Sequence, residues 1–508
     1  MTNEQSMAQI ILIAPRRRTA LRGADFSVRV HTLVSWMAVA LSAATPAGAA
    51  DLLDCYRQAQ SYDATLRIAG AALRVGREAY PQGLAGLLPN LSAQLSSQDT
   101  GIGSLPSGRG VVRTNWDYGA GVFTVSLTQP LFRWAAWQTY RIGEIQVVQA
   151  EAIYAQARID MMVRLAQAYF DVIYTEEALR FAQIQKVAIA EKVMLSRRNF
   201  EAGLATIVDA REATARLDLA EATEIAARND LAIKRLALNQ LTGQTHSKLA
   251  GVRAGLKLAS LVPQSPSVWA EQAERDSYVV KANEAAVQVA SRNIEVSNAG
   301  HLPTLDLSAS INRSNQTGTL VSTQGSLSVY RQIGLTLTVP IFAGLGINSK
   351  VRQAVYQHEE ALATLDQARR TAANAANEAY LNYLSGISQV AALEVAEGSN
   401  TLAVVASKRS LEVGLRLNLD VLDAEQQLYR VRRDLFKARV DSILAGLKLK
   451  AAVGTLGEAD LQGVNALLVA SASTDPLASG AANPGTANAS SLKLSLFIKD
   501  LSTPGPVP

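Results

Sequence analysis

The 508-residue sequence predicts an α+β membrane protein written twice over, with amphipathic strands set between very long helices. Three observations predict it. The phrase "VFTVSLTQPLFRW" at 122–134 is echoed by "QIGLTLTVPIFAG" at 332–344. From Trp134 to Ala202 there is no proline, and apolar or alanine positions recur at three- and four-residue spacing. The composition is 48% hydrophobic but only 6% aromatic, which favours helices packed closely side by side.

The chain opens on residues 1–50, which read as a secretory signal peptide. Arg16–Arg18, Arg22 and Arg29 precede the apolar run 33–44, and "TPAGAA" follows. Cleavage is expected near Ala49 or Ala50, and Met7 is an alternative start. The run is too short for a membrane anchor. Removing those five Arg together with Glu4 and Asp25 lowers the net charge of +5 by three, so the basicity belongs mostly to the signal and gives no support to a nucleic-acid partner. No later stretch is apolar enough for a transmembrane helix. Cys55 is the only cysteine, which excludes an intrachain disulfide and a cysteine metal cluster. It reads as a small residue of the first helix rather than a lipid attachment point, because Asp54 stands before it.

The first copy is assigned to 51–260. A helical pattern at 53–85 leads to "LLPNLSAQLSS", a Gly/Ser-rich loop, a second strand ending in "TQPLF", and helices to about 243. The second copy, 261–456, repeats that order: a helical pattern at 268–300, "HLPTLDLSASINRS", a loop, the strand quoted above, and helices to about 453. Pro89 and Pro303, Gly203 and Gly414, and Asp209 and Asp420 correspond at a nearly fixed offset. Each strand alternates, as Leu305, Leu307 and Ala309 do against Asp306, Ser308 and Ser310, giving one greasy and one wet face. Four strands cannot close a barrel in lipid, so several protomers must share it. A proline-free helix from Trp134 would span roughly 100 Å at ~1.5 Å per residue and needs coiled-coil-like neighbours. The breaks at "EAGLATIVDA" and "EVGLRLNLDVLDA" suit turns between antiparallel helices. The remainder, 457–508, is small, polar and proline-punctuated, and is expected to be a disordered tail.

These residues carry a family resemblance. "YRQAQSYDATLR" at 56–67, "LLPNLSAQLS" at 87–96, "VSLTQPLFRWAAW" at 125–137, "AQAYFDVIYTEEAL" at 166–179, "NFEAGLATIVDAREATARLD" at 199–218 and "EVGLRLNLDVLDAEQQLY" at 412–429 resemble the TolC family of outer-membrane channel-tunnels. The resemblance covers about 51–456. It implies a homotrimer in the outer membrane, with four strands per protomer in a twelve-stranded barrel and a helical barrel reaching into the periplasm. It also implies a passive duct served by a periplasmic adaptor and an inner-membrane transporter.

The same resemblance assigns the candidate site residues. Asp420 and Asp423 fall at the periplasmic constriction, where a threefold ring would favour cations; two acids near a helix start are the plainer alternative. Arg416 matches a gate latch whose acceptor is Asp209, in a region that includes Val208. Gly203, Leu204, Gly414 and Leu415 form helix tips expected to meet adaptor hairpins. Pro130, Phe132, Pro340 and Phe342 mark the places where a strand hands over to a helix, proline ending the ladder. Leu411 stands where the family often has a tyrosine of the latch.

An enzyme is not indicated. His31, His246, His301 and His358 have no metal spacing, and "GIGSLPSG" at 101–108 lacks the lysine of a phosphate loop. No cofactor is expected. The function expected is the exit duct of a type I secretion system with an ABC transporter, exporting a large unfolded RTX-type protein or toxin. The alternative is the outer component of a drug efflux pump, with an RND transporter. A trimeric coiled-coil adhesin or envelope structural protein is a third class, but it would not need two embedded strand pairs.

Overall fold

A computed structural model describes residues 49–469, apart from 103–104, 108–109, 113–115, 205, 247, 254–262, 264, 319–321, 323, 414 and 416–417. Nearly all of the expected signal peptide, and the chain from 470 onward, lie outside the described residues.

The helical pattern read at 53–85 is three helices: α1 (Leu52–Tyr62), α2 (Ala64–Arg77) and α3 (Ala79–Ala85). Asp63 makes the first break. Its carboxylate accepts the N–H groups of Thr65 and Leu66 and takes an ion pair from Arg164 at 3.0 Å. Strand β1 (Asn90–Ile102), a short ribbon of β2 (Leu105–Ser107) and β3 (Gly110–Val112), and β4 (Trp116–Phe132) follow. Then come the helices α4 (Trp134–Glu201) and α5 (Ile207–Thr242), and a two-residue strand β5 (Gly251–Val252).

The second copy runs in parallel. Its first helix also breaks, at Ser277, into α6 (Pro266–Asp276) and α7 (Tyr278–Asn298), here with no side-chain cap. Strands β6 (Thr304–Gln316) and β7 (Ser326–Thr338) lead to α8 (Gly346–Glu412) and α9 (Asn418–Val453). No helix among the described residues is long and apolar enough to cross a membrane.

The chain does not become a tail at 457. Residues Glu458–Asn465 form α10, whose Leu461 is wholly buried, and β8 (Leu468–Val469) pairs antiparallel with β5. Asn465 fastens this segment to α1, donating to Asp51 Oδ2 and accepting from the Leu52 N–H. The ends of the two copies are thus stitched together. The polar composition that follows masked this short closing helix.

The four long strands form one antiparallel sheet in the order β1-β4-β6-β7. Leu91 lies opposite Leu127, Val125 opposite Ile311, and Leu307 opposite Leu335, so the apolar residues share one face. The other face is polar: the Ser92 and Ser126 hydroxyls lie 2.8 Å apart, and Asn312 donates to Thr124 Oγ1 at 3.0 Å. The outer edges of β1 and β7 have no partner among the described residues, so closure in lipid requires further copies.

The largest core surrounds the middle of α4. Met161, Met162, Leu165, Tyr169 and Phe170 pack with Leu52 and Tyr56 of α1, Leu238 of α5, Leu444 of α9 and Leu461 of α10. Tyr169 donates its hydroxyl to the Ala250 carbonyl at 2.9 Å, and its ring meets Phe170 edge-on. Cys55 lies inside this core, where burial pushes its thiol up to about 12, and His246 stands 3.9 Å from it. Burial likewise holds the His246 imidazole below its ordinary value.

The two strand-to-helix junctions differ from each other, and the first differs from expectation. β7 stops at Thr338, before Pro340, and the chain turns through Gly344 and Leu345, both left-handed, into α8. Pro130, however, does not end β4. It still pairs with Asp306, and the register shifts before Phe132. The reason is that β1 has already stopped opposite Thr128, so the ladder is one-sided at Pro130 and tolerates a missing donor. Arg133 then clamps the junction, donating to both Asp306 oxygens at 2.9 and 2.8 Å.

Candidate gate and lumen of a channel

The two helix tips are built alike. After α4, the Leu204 N–H bonds to the Asn199 carbonyl at 2.7 Å, and left-handed Gly203 donates to the Phe200 carbonyl. This is a Schellman turn, which needs a residue without strain at positive φ. After α8, the Leu415 N–H makes the matching bond to the Ser410 carbonyl at 2.8 Å. Gly414 itself lies outside the described residues. Leu204 and Leu415 are each 80% exposed, so the turns present bare leucines.

The helices leaving the tips start differently. Thr206 and Asp209 close a capping box on α5: Asp209 Oδ2 accepts from the Thr206 N–H at 3.0 Å, and the Asp209 N–H donates to Thr206 Oγ1. Asp420 occupies the equivalent third position of α9, but the residue matching Thr206 is Leu417, which has no side-chain oxygen. In sequence, then, the second copy keeps the acid but has no hydroxyl at that position to return the bond. Arg416, the latch residue expected from sequence, lies outside the described residues; Asp209 is engaged in its own helix start.

Asp423 is not a bare acid. Its Oδ1 accepts from Arg216 Nη1 of α5, and Arg216 also holds Glu212 at 3.1 Å. Glu212 and Asp423 are corresponding positions of the two copies, so one arginine gathers both carboxylates. The Asp423 hydrogen bond raises the Arg216 guanidinium above its ordinary value. Between the two aspartates, Val421 and Leu422 are buried, Leu422 in a small cluster with Ile189, Val193, Ala213 and Ala220.

Sequence reading missed Arg216. Its counterpart in the second copy is Gln427, one of several places at which the copies differ in charge. Above the tips, ion pairs lace each helical hairpin. Lys186 meets Glu221 and Glu224 between α4 and α5, while Lys408–Glu425, Arg432–Glu397 and Arg439–Glu394 join α8 to α9. The Lys186 hydrogen bond holds the Glu224 carboxyl below the usual carboxylate range.

A sheet greasy on one face and wet on the other, open at both edges and continued by long helical hairpins, defines one protomer of an outer-membrane channel-tunnel. Comparison with known proteins gives the same class. The chain belongs to the family described as "Outer membrane efflux protein", which it matches over 55–244 and 269–455. It is 30% identical to the outer membrane protein TolC of Vibrio cholerae, over 82% of this chain and 94% of that one. It is 31% identical to the alkaline protease secretion protein AprF of Pseudomonas aeruginosa, over 87% of this chain and 92% of that one. Among solved structures it is similar to the CmeC outer membrane channel of Campylobacter jejuni, with a TM-score of 0.69 at 16% identity, covering 82% of this chain and 89% of that chain. The fold is that of the trimeric channels whose barrel lies in the outer membrane and whose helices span into the periplasm. Membership makes the protein a transport component and not an enzyme.

Proposed function

We propose that three copies of this chain form the passive exit duct of a type I secretion system, passing a large unfolded RTX-type protein or toxin from an inner-membrane ABC transporter to the exterior. The observation that carries the reading is the similarity to AprF, a protein named for protease secretion, over nearly the whole of both chains. The sheet's polar face, with Ser92, Thr124, Ser126 and Asn312, suits a wet lumen. At the periplasmic end, Asp420 and Asp423 are assigned to the constriction, and Arg416 with Asp209 to a latch against a neighbouring protomer. The exposed Leu204 and Leu415, with Gly203 and Gly414, are assigned to adaptor docking. Arg216 joins the gate, restraining Asp423 within its own protomer.

A second reading, drug efflux with an RND transporter, is favoured by the family's own description. A clean deletion separates the two. Loss of one large protein from the culture supernatant with unchanged drug tolerance supports the secretion duct. An unchanged supernatant with new sensitivity to dyes, detergents and antibiotics supports efflux instead.

A further inference from the structure

The lipid-side face of the sheet is not uniformly apolar. Register sets Phe123, Arg313 and Val329 in one row, and Val125, Ile311 and Arg331 in the next. Alternation therefore puts both arginines on the face of Leu91, Leu307 and Leu335, and not on the polar face of Thr124 and Asn312. Arg331 borders a groove of about 320 Å³ on this face, floored by Leu91, Val125, Leu127, Ala309 and Ile311. Both arginines are exposed, and neither makes an ion pair with a described residue. The acids of the same face, Asp99 and Asp117, lie farther out, beyond the row of Gly121.

Height decides what meets these cations. The apolar band starts at Leu305 and Leu337. Strands tilted about 40° rise roughly 2.6 Å per residue, which puts the two arginines roughly 15–21 Å above that row, near the top of a band ~25 Å tall. The helices leave from the opposite end of the strands, so this is the outer leaflet. Diagonal neighbours on adjacent strands stand about 7–8 Å apart. Two guanidinium groups that close repel each other beside lipid unless an anion lies between them. Their stems can lie along Phe123 and Val329 while the heads reach the headgroup layer. Guanidinium pairs favour phosphate, which they bind bidentately.

We propose that Arg313 and Arg331, with the groove beneath them, form a docking site for a phosphate-bearing glycolipid of the outer leaflet. The phosphate sits on the arginine pair and an acyl chain lies in the groove, one site per protomer. The proposal rests on the barrel's placement in the outer membrane.

The test uses the full chain as its trimer, in nanodiscs of phosphatidylcholine doped with diphosphorylated lipid A, dephosphorylated lipid A or phosphatidylglycerol. Native mass spectrometry then counts the lipid retained after stripping. Diphosphorylated lipid A should stay bound, and the Arg313→Gln/Arg331→Gln double variant should lower its retention at least tenfold with single-channel conductance unchanged. Equal retention by the double variant would overturn the proposal. So would equal retention of dephosphorylated lipid A or of phosphatidylglycerol, and these two arms need only the native protein. Conductance recorded on the same sample keeps this result separate from the duct reading, which falls only if no channel forms.

Discussion

The belt around the middle of α4 and the tips of the long helices are held by different chemistry. In the belt, Leu52, Met161, Met162, Tyr169 and Phe170 are wholly or almost wholly buried in one cluster that draws on both copies. Near the tips the cluster shrinks to Ile189, Val193, Ala213, Ala220 and Leu422, and ion pairs add to it, most with one exposed partner, Asp423 keeping 59% of its side-chain surface. Apolar burial contributes about 1.5–3 kcal/mol per large side chain, whereas an exposed pair contributes about 0–1 kcal/mol. A molecule built this way can separate its tips while its belt stays closed. That difference is what a gated duct requires, and it can be tested from the strongest effect downward.

The largest effect belongs to the belt. Phe170→Ala should cost about 3–5 kcal/mol, read as thermal or urea unfolding of the trimer in detergent. A loss below ~1 kcal/mol would erase the contrast. Leu422→Ala should cost about 2 kcal/mol, at the low end for leucine because the cluster around it is small and two of its members are alanines, so few apolar contacts are lost. It should also raise channel conductance, which Phe170→Ala should not do before the trimer unfolds.

Acid should act on the two regions in turn. Burial lowers the folded-state pKa of His246, beside Cys55 in the belt. Above pH about 6.5 both states are neutral and nothing is lost; below it the unfolded chain takes up a proton first, so the belt loses stability as pH falls. Glu224 acts in the same direction but at lower pH. Its depressed pKa contributes stability that is present above pH about 4.5 and lost as pH falls through the folded value. Melting temperature should therefore begin to drop near pH 6.5, and His246→Gln should flatten that first drop. An unaltered pH profile in that variant would refute the assignment. The hairpin link at Lys186 should hold until the carboxylate range, and Glu224→Gln should remove only that later component.

Much of this was legible in the sequence because duplication writes it twice. Strand alternation and the glycine turn after α4 follow from residues whose spacing fixes their geometry. The break at Asp63 was not legible, since the apolar period runs through it and only the buried contact with Arg164 shows why the chain turns there. The closing helix at Glu458–Asn465 was hidden for a similar reason: its single deep anchor, Leu461, lies in a stretch of small and polar residues. Pro130 misled because its tolerance depends on where β1 stops, a tertiary fact. Arg216 went unseen because ion pairs across helices leave no periodic trace, and its mismatch with Gln427 is one of several between the copies.

The central claim is that the tips are held by weak, separable links while the belt fixes the assembly. Single-channel conductance of the trimer in planar bilayers, recorded for the native chain and for Arg216→Gln alongside their melting temperatures, tests it most directly. The account predicts a several-fold rise in conductance with stability changed by less than about 1 kcal/mol. Unchanged conductance, or a melting temperature that falls as far as that of Phe170→Ala, would contradict it.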